Sequence, residues 1–239
     1  MGAKKIKPVV KKPSKGAVLP PDTASEQIRE WINKNFSVLV VAGAAFLFMI
    51  SVVWGYGVYK HSVQSRAESE YTVIAAKLPA GEKATPEEWQ KLIPDLQKFI
   101  SENSGTGPAL NARIELAKAY FETKRYEEAA RAAAEALGLA PKDHFLRPLI
   151  HYQLAYAYEA AGKIEQAIGE WTTLKNLGIS SLEREIDWNL GRLYAAKNDG
   201  AKAVEMYQLA MKAPGDYPPA ALLDQELLRV KPRQEQAAK

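Results

Sequence analysis

The chain has 239 residues, 47% of them hydrophobic and 25% charged, a globular composition with enough material for a buried core. The net charge of +4 is uneven: residues 1–34 hold eight Lys/Arg against three acids, and residues 60–239 hold 24 against 25. A basic tail on a near-neutral body argues against a nucleic-acid binder. The absence of cysteine excludes a disulfide framework, thiolate zinc sites, a cysteine nucleophile and a lipid-anchored N-terminal cysteine.

Residues 1–22 are rich in Lys and Pro and poor in large apolar groups, which reads as a disordered basic tail. A juxtamembrane helix is expected over 23–36, with Thr23 and Glu26 spaced as a capping box. Residues 35–59 then carry no charge. From Val38 to Tyr59 a helix would reach roughly 33 Å, enough for the hydrocarbon core of a bilayer. Trp31 and Phe36 at one end, and Trp54, Tyr56 and Tyr59 at the other, suit the two interfaces. No small-residue cleavage site follows; Lys60 and His61 come next, so 37–59 reads as an uncleaved signal anchor. Lysines close to the membrane are balanced, and the tail decides orientation through Lys4, Lys5, Lys7, Lys11, Lys12 and Lys15. The N-terminus is therefore expected in the cytoplasm and residues 60–239 outside it.

A linking helical hairpin is expected over 60–107. Residues 60–77 continue the membrane helix outward, and Thr85-Pro86-Glu87-Glu88 combines a capping box with Pro at the first helical position. Trp89, Leu92, Ile93, Leu96, Phe99 and Ile100 line one face of the next helix, which Pro94 should bend. Three segments then align with one another, starting at Leu116, Leu154 and Leu190, 38 and 36 residues apart. Each opens with Leu and a small residue, with Tyr four residues on (Tyr120, Tyr158, Tyr194). Ala129, Ala167 and Ala203 follow at thirteen, and Ala133, Trp171 and Tyr207 at seventeen.

This pattern resembles the tetratricopeptide repeat, in which small residues let two helices approach and large ones fill the grooves between hairpins. Three positions depart from it: Arg113, His151 and Asp187 stand where an aromatic is usual. The expected fold is all-α: one N-terminal transmembrane helix, then an α-solenoid of about three such hairpins over 108–230. Leu222, Leu223, Leu227 and Leu228 mark a capping helix, and a polar tail occupies 231–239.

Basic tail, signal anchor, hairpin, repeats and cap in this order resemble the YfgM-type ancillary subunits of the SecYEG translocon. The likeness covers roughly residues 26–230. It rests on the entry helix Ile28 to Phe36, the exit Trp54-Gly55-Tyr56, the stretch Phe99-Ile100-Ser101-Glu102-Asn103 and the ending Pro218-Pro219-Ala220-Ala221-Leu222. The resemblance implies a bacterial inner-membrane protein with a periplasmic repeat domain and chaperone-like work at the translocon exit. Its implied partners are translocon subunits, a periplasmic prolyl-isomerase-like chaperone and unfolded chains. The alternative is an envelope-assembly or cell-division scaffold of the same architecture.

The residues suggest no active site. His144 and His151 are seven apart with Pro148 between them, which does not make a metal site, and no phosphate loop, nucleophile elbow or HExxH occurs. No catalytic residue, cofactor, metal, nucleic acid or small-molecule substrate is expected. The first helix of each hairpin should instead line a concave groove for protein partners, through Ile114, Lys118 and Phe121, then Tyr152 and Tyr156, then Trp188 and Arg192. The Lys and Asn with which related repeats grip C-terminal carboxylates are absent at Ile114 and Lys118, so that ligand is not expected.

Overall fold

In the computed structural model, residues 24–79 and 84–237 are described, with side chains as far as Val230. The basic tail and the Thr23 cap lie outside the described residues. The chain divides into two units within its first helix, after Lys60.

Helix α1 (Ala24–Ala75) runs without a break through the segments read as juxtamembrane, membrane and outward helix. None of Phe36 to Lys60 is buried, and the apolar side chains point outward on every face. Two polar side chains bond back to their own helix: Asn35 Nδ2 donates to Trp31 O (2.8 Å) and Ser51 Oγ to Leu47 O (2.9 Å). The helix is long and apolar enough to cross a membrane.

The second unit begins at His61 with the last turns of α1. These pack through Ala67, Tyr71 and Ile74 on α2 (Pro86–Glu102) and α3 (Gly107–Glu122), with Tyr71 against Phe99 at 5.8 Å. Helix α2 starts as the sequence suggests, with the Thr85–Glu88 capping box formed on both sides and Pro86 at the first position. It buries Trp89, Leu92, Ile93, Leu96 and Phe99. Three hairpins follow: α3 with α4 (Tyr126–Leu139), α5 (Arg147–Ala160) with α6 (Ile164–Asn176), and α7 (Glu183–Ala196) with α8 (Gly200–Lys212). Helix α9 (Ala220–Ala237) caps the stack with Leu223, Leu227 and Val230, while Leu228 is exposed. Its backbone continues helical beyond Lys231, where a tail was expected. Every regular element among the described residues is helical.

The hairpin turns are built alike. The eighth residue after each aligned leucine adopts a left-handed conformation: Lys124 (φ 60°), Gly162 (φ 73°) and Asn198 (φ 61°). The next N–H closes back on the tyrosine carbonyl of the first helix: Arg125 to Tyr120 (2.8 Å), Lys163 to Tyr158 (2.8 Å), Asp199 to Tyr194 (2.9 Å). This satisfies carbonyls that the helix end would leave open. Asn and Gly tolerate that backbone readily; Lys124 occupies it against its preference.

Packing within hairpins trades volume between two positions. Ala155 makes room for Trp171, and Gly191 for Tyr207, all of them buried. A Cβ at Gly191 would stand 2.5 Å from the Tyr207 ring, so that glycine is a packing requirement rather than a flexible point. The three departures from the repeat pattern have local partners. His151 Nδ1 lies 2.6 Å from Glu170, Asp187 pairs with Lys175 at 2.7 Å, and Arg113 donates to Ala109 O at 3.1 Å. Burial pushes the Asp187 carboxyl above the usual carboxylate range, with Lys175 opposing.

Candidate functional site

The first helices α3, α5 and α7 present equivalent positions counted from Leu116, Leu154 and Leu190. Two residues after the leucine stand Lys118, Tyr156 and Arg192; one before it, Glu115, Gln153 and Asn189; five before it, Asn111, Leu149 and Glu185. A helix brings these onto one stripe, which meets the next first helix in the stack.

Between α3 and α5 this stripe opens a groove of about 440 Å³. It is lined by Lys118, Phe121, Leu149, Tyr152, Gln153 and Tyr156, with the small Ala117 and Ala129 leaving the space. Phe121 is held edge-on against Tyr126 at 5.4 Å. Tyr152 and Tyr156 stand edge-to-face with each other at 4.9 Å, and both with Trp171 behind them, at 5.4 and 5.1 Å. Such rings are rigid apolar walls.

Their hydroxyls point away, toward α7. Both donate to Glu185 Oε1, at 2.7 and 2.8 Å, and Asn189 Nδ2 donates to the Tyr156 hydroxyl at 3.3 Å. Burial, with Glu185 adding to it, pushes the Tyr156 phenol up to about 12, although its Tyr152 and Asn189 bonds pull the other way. Burial also raises Tyr152. Both therefore remain protonated donors at neutral pH.

Lys118 is exposed at the groove, its ammonium 4.9 Å from the Trp89 ring centroid. It makes no ion pair among the described residues, and its charge opposes the upward push of burial on the Glu115 carboxyl, one turn back. Gln153 donates weakly to Ile114 O at 3.4 Å, and its Oε1 is buried without a hydrogen-bond partner.

The groove thus gathers Lys118, Phe121, Tyr152 and Tyr156 of the seven expected residues. The other three are placed elsewhere. Ile114 is 4% exposed and belongs to the core beneath the groove, because its position faces the helix stack. Arg192 is held by Glu159 through two contacts (2.9 and 3.0 Å) and by Asn189 (2.6 Å), and lies 4.6 Å over Trp188. Trp188 packs edge-on against Tyr217 at 5.7 Å and against the core formed by α8 and α9. Arg192 closes the second junction, between α5 and α7, and Trp188 faces the cap; neither opens onto the groove between α3 and α5.

Leu149 and Gln153 escaped the sequence reading, although they lie one turn from Tyr152 and Tyr156 on the same face of α5 and were findable by that spacing. Glu185 carries no such signal, since its partners sit 29 and 33 residues away. Among the described residues no cluster of three or more His, Cys, Asp or Glu is placed to hold a metal. His144 stacks on Phe145 at 4.9 Å while His151 faces Glu170, so the two histidines are not joined in one site.

Stacked helical hairpins with an apolar groove along their first helices define a repeat scaffold for protein–protein interaction. The model of the tetratricopeptide repeat-like domain family matches residues 29–232, and the chain belongs to that family. No curated protein matches the sequence. Among solved structures, the chain is similar to nearly identical TPR-like repeats from a protein assigned as a kinesin light chain in Podosopora anserina. The TM-score is 0.55 at 18% identity, over 72% of this chain and 89% of that one. It is also similar to MamA residues 41-end from Desulfovibrio magneticus RS-1, with a TM-score of 0.53 at 11% identity over 71% of this chain and 96% of that one. Likeness at such identities speaks for the fold alone.

Proposed function

We propose that the protein is a membrane-anchored, non-enzymatic adaptor that binds polypeptide partners in the groove between α3 and α5. The anchor is the 37–59 part of α1, with the basic tail in the cytoplasm and the repeat domain on the periplasmic face of a bacterial inner membrane. There it acts in a chaperone-like way beside the Sec translocon, on translocon-associated proteins or emerging chains. The observation that carries this reading is the groove itself: rigid aromatic and aliphatic walls, one cation and one buried acceptor suit a polypeptide segment. Support for the anchor comes from an uncharged helix with every face apolar and exposed.

Site-specific photocrosslinking in native membranes tests both parts. Phe121→p-benzoylphenylalanine should give polypeptide adducts, identifiable by mass spectrometry, well above those of Leu228→p-benzoylphenylalanine on the exposed face of α9. Equal labelling from the two positions would overturn the groove reading. A reporter fused after Lys239 should be active only outside the cytoplasm; cytoplasmic activity would overturn the topology.

A further inference from the structure

Lys118 is a cation at the edge of an otherwise apolar groove, and no carboxylate of the described residues pairs with it. Elsewhere the same molecule shows what the equivalent position takes. Arg192, at the matching place in the third hairpin, is gripped by the Glu159 carboxylate. Tyr156, at the matching place in the second, donates to the Glu185 carboxylate. Where Glu185 stands for the second junction, the first has Leu149. The internal carboxylate is thus replaced by apolar surface, and the ammonium, resting over the Trp89 ring, has no ion-paired carboxylate among the described residues. Gln153 Oε1, on the same wall, is a buried acceptor without a donor, and a peptide N–H is the donor that a bound backbone supplies.

We propose that the groove selects an extended polypeptide segment in which an acidic side chain flanks a bulky apolar one. The apolar side chain fills the space between Phe121, Leu149 and Tyr152, the carboxylate meets Lys118 Nζ, and a backbone N–H reaches Gln153 Oε1 once that side chain, held only by its 3.4 Å contact with Ile114 O, turns toward the groove. A volume of about 440 Å³ accommodates one or two large side chains rather than a folded element. The protein's own N-terminal tail has the wrong sign, with six lysines and one acid in residues 1–22. The carboxylate belongs to a side chain within the segment, not to a chain terminus. This deepens the adaptor reading and rests on it.

The test uses the full chain in lipid nanodiscs and fluorescence anisotropy with three nonapeptides, acetylated and amidated so that no terminal charge remains. Each carries a central Leu-Phe pair, flanked by two aspartates, two asparagines or two lysines. The aspartate peptide should bind at least tenfold tighter than the lysine peptide, which is about 1.4 kcal/mol. That ratio should shrink severalfold between 50 and 500 mM salt. Lys118→Glu should reverse the order, and Lys118→Met should level aspartate with asparagine; circular dichroism checks that both remain folded. Equal binding of all three peptides, lost on Phe121→Ala, would overturn the charge selection and leave the groove reading standing. Binding indifferent to both Phe121→Ala and Lys118→Glu would place the peptides elsewhere and overturn both. Failure of every peptide to bind would overturn the segment proposal, and the crosslinking experiment then decides the adaptor reading by itself.

Discussion

The two junctions between neighbouring hairpins are made by the same helix positions and come out differently. Between α5 and α7, the tyrosine hydroxyls of α5 end on Glu185, Asn189 bridges to Tyr156, and Arg192 is clamped by Glu159. Two nitrogens remain buried there without a hydrogen-bond partner, Trp171 Nε1 and Arg192 Nε. Between α3 and α5, the same positions carry Ile114, Lys118, Leu149 and Gln153, and the junction stays open along an apolar groove. Two residue types explain most of the difference. A carboxylate at the fifth position before the leucine draws the neighbouring helix into a hydrogen-bonded seam; a leucine there cannot. The closed junction also supports the open one, because Trp171 and Glu185 fix the rings that form the groove wall from behind.

The largest effect should come from removing that support. Trp171 is fully buried, so Trp171→Ala should cost about 3–5 kcal/mol, read as a shift of the chemical-denaturation midpoint, and should loosen both tyrosines. Phe121→Ala, at the rim of the open groove, should cost only about 1 kcal/mol or less. Similar losses for both would mean that the groove is core and the contrast is false.

Gly191→Ala comes next. The added methyl meets the Tyr207 ring at 2.5 Å, and about 1–3 kcal/mol of stability should be lost, although alanine is the better helix former. A stabilised variant would show that the third hairpin has slack that the packing denies.

At the seam itself, Glu185→Ala leaves two phenols without their acceptor and should cost about 1–3 kcal/mol in thermal unfolding. Leu149→Ala, at the equivalent place in the open junction, should change stability by less than about 1 kcal/mol while weakening groove binding, since Leu149 is 44% exposed. Leu149→Glu sharpens the comparison further: it offers Lys118 an internal carboxylate and should reduce binding of acidic segments in anisotropy.

The smallest effect concerns pH. Glu115 occupies the position of Gln153 and Asn189, and burial raises its carboxyl above the ordinary value of 4.5, with Lys118 opposing. A carboxyl raised in the folded state favours folding when protonated. That contribution is present below the unfolded value and is lost as pH rises through the folded one. Glu115→Gln should therefore stabilise the protein at neutral pH, and the gain should vanish below pH 4.5 in a series of thermal melts. A gain independent of pH would assign the effect to packing instead.

Much of this was legible in the sequence. The uncharged run in α1 has one physical outcome, a helix apolar on all faces, because no residue in it supplies a polar side. The repeat register followed from three alignments of Leu, small residue and Tyr, since a helix turn permits few partners at a fixed spacing, and Ala155 with Trp171 and Gly191 with Tyr207 obey it. Local chemistry also set the Thr85 capping box and the turns at Gly162 and Asn198, whose residues tolerate a left-handed backbone, whereas Lys124 takes it against its preference.

What the spacing of first-helix residues could not separate was Ile114 in the core from Lys118 at the surface, or Arg192 in a seam from Tyr156 at a groove. Those outcomes depend on residues a full repeat away: Glu159 for Arg192, Glu185 for Tyr152 and Tyr156, Leu149 where a second Glu185 would have closed the first junction. Within a hairpin, backbone geometry fixes which side chains meet. Between hairpins, the meeting is settled by which volumes and charges happen to face each other across the stack, and only the tertiary structure brings those together.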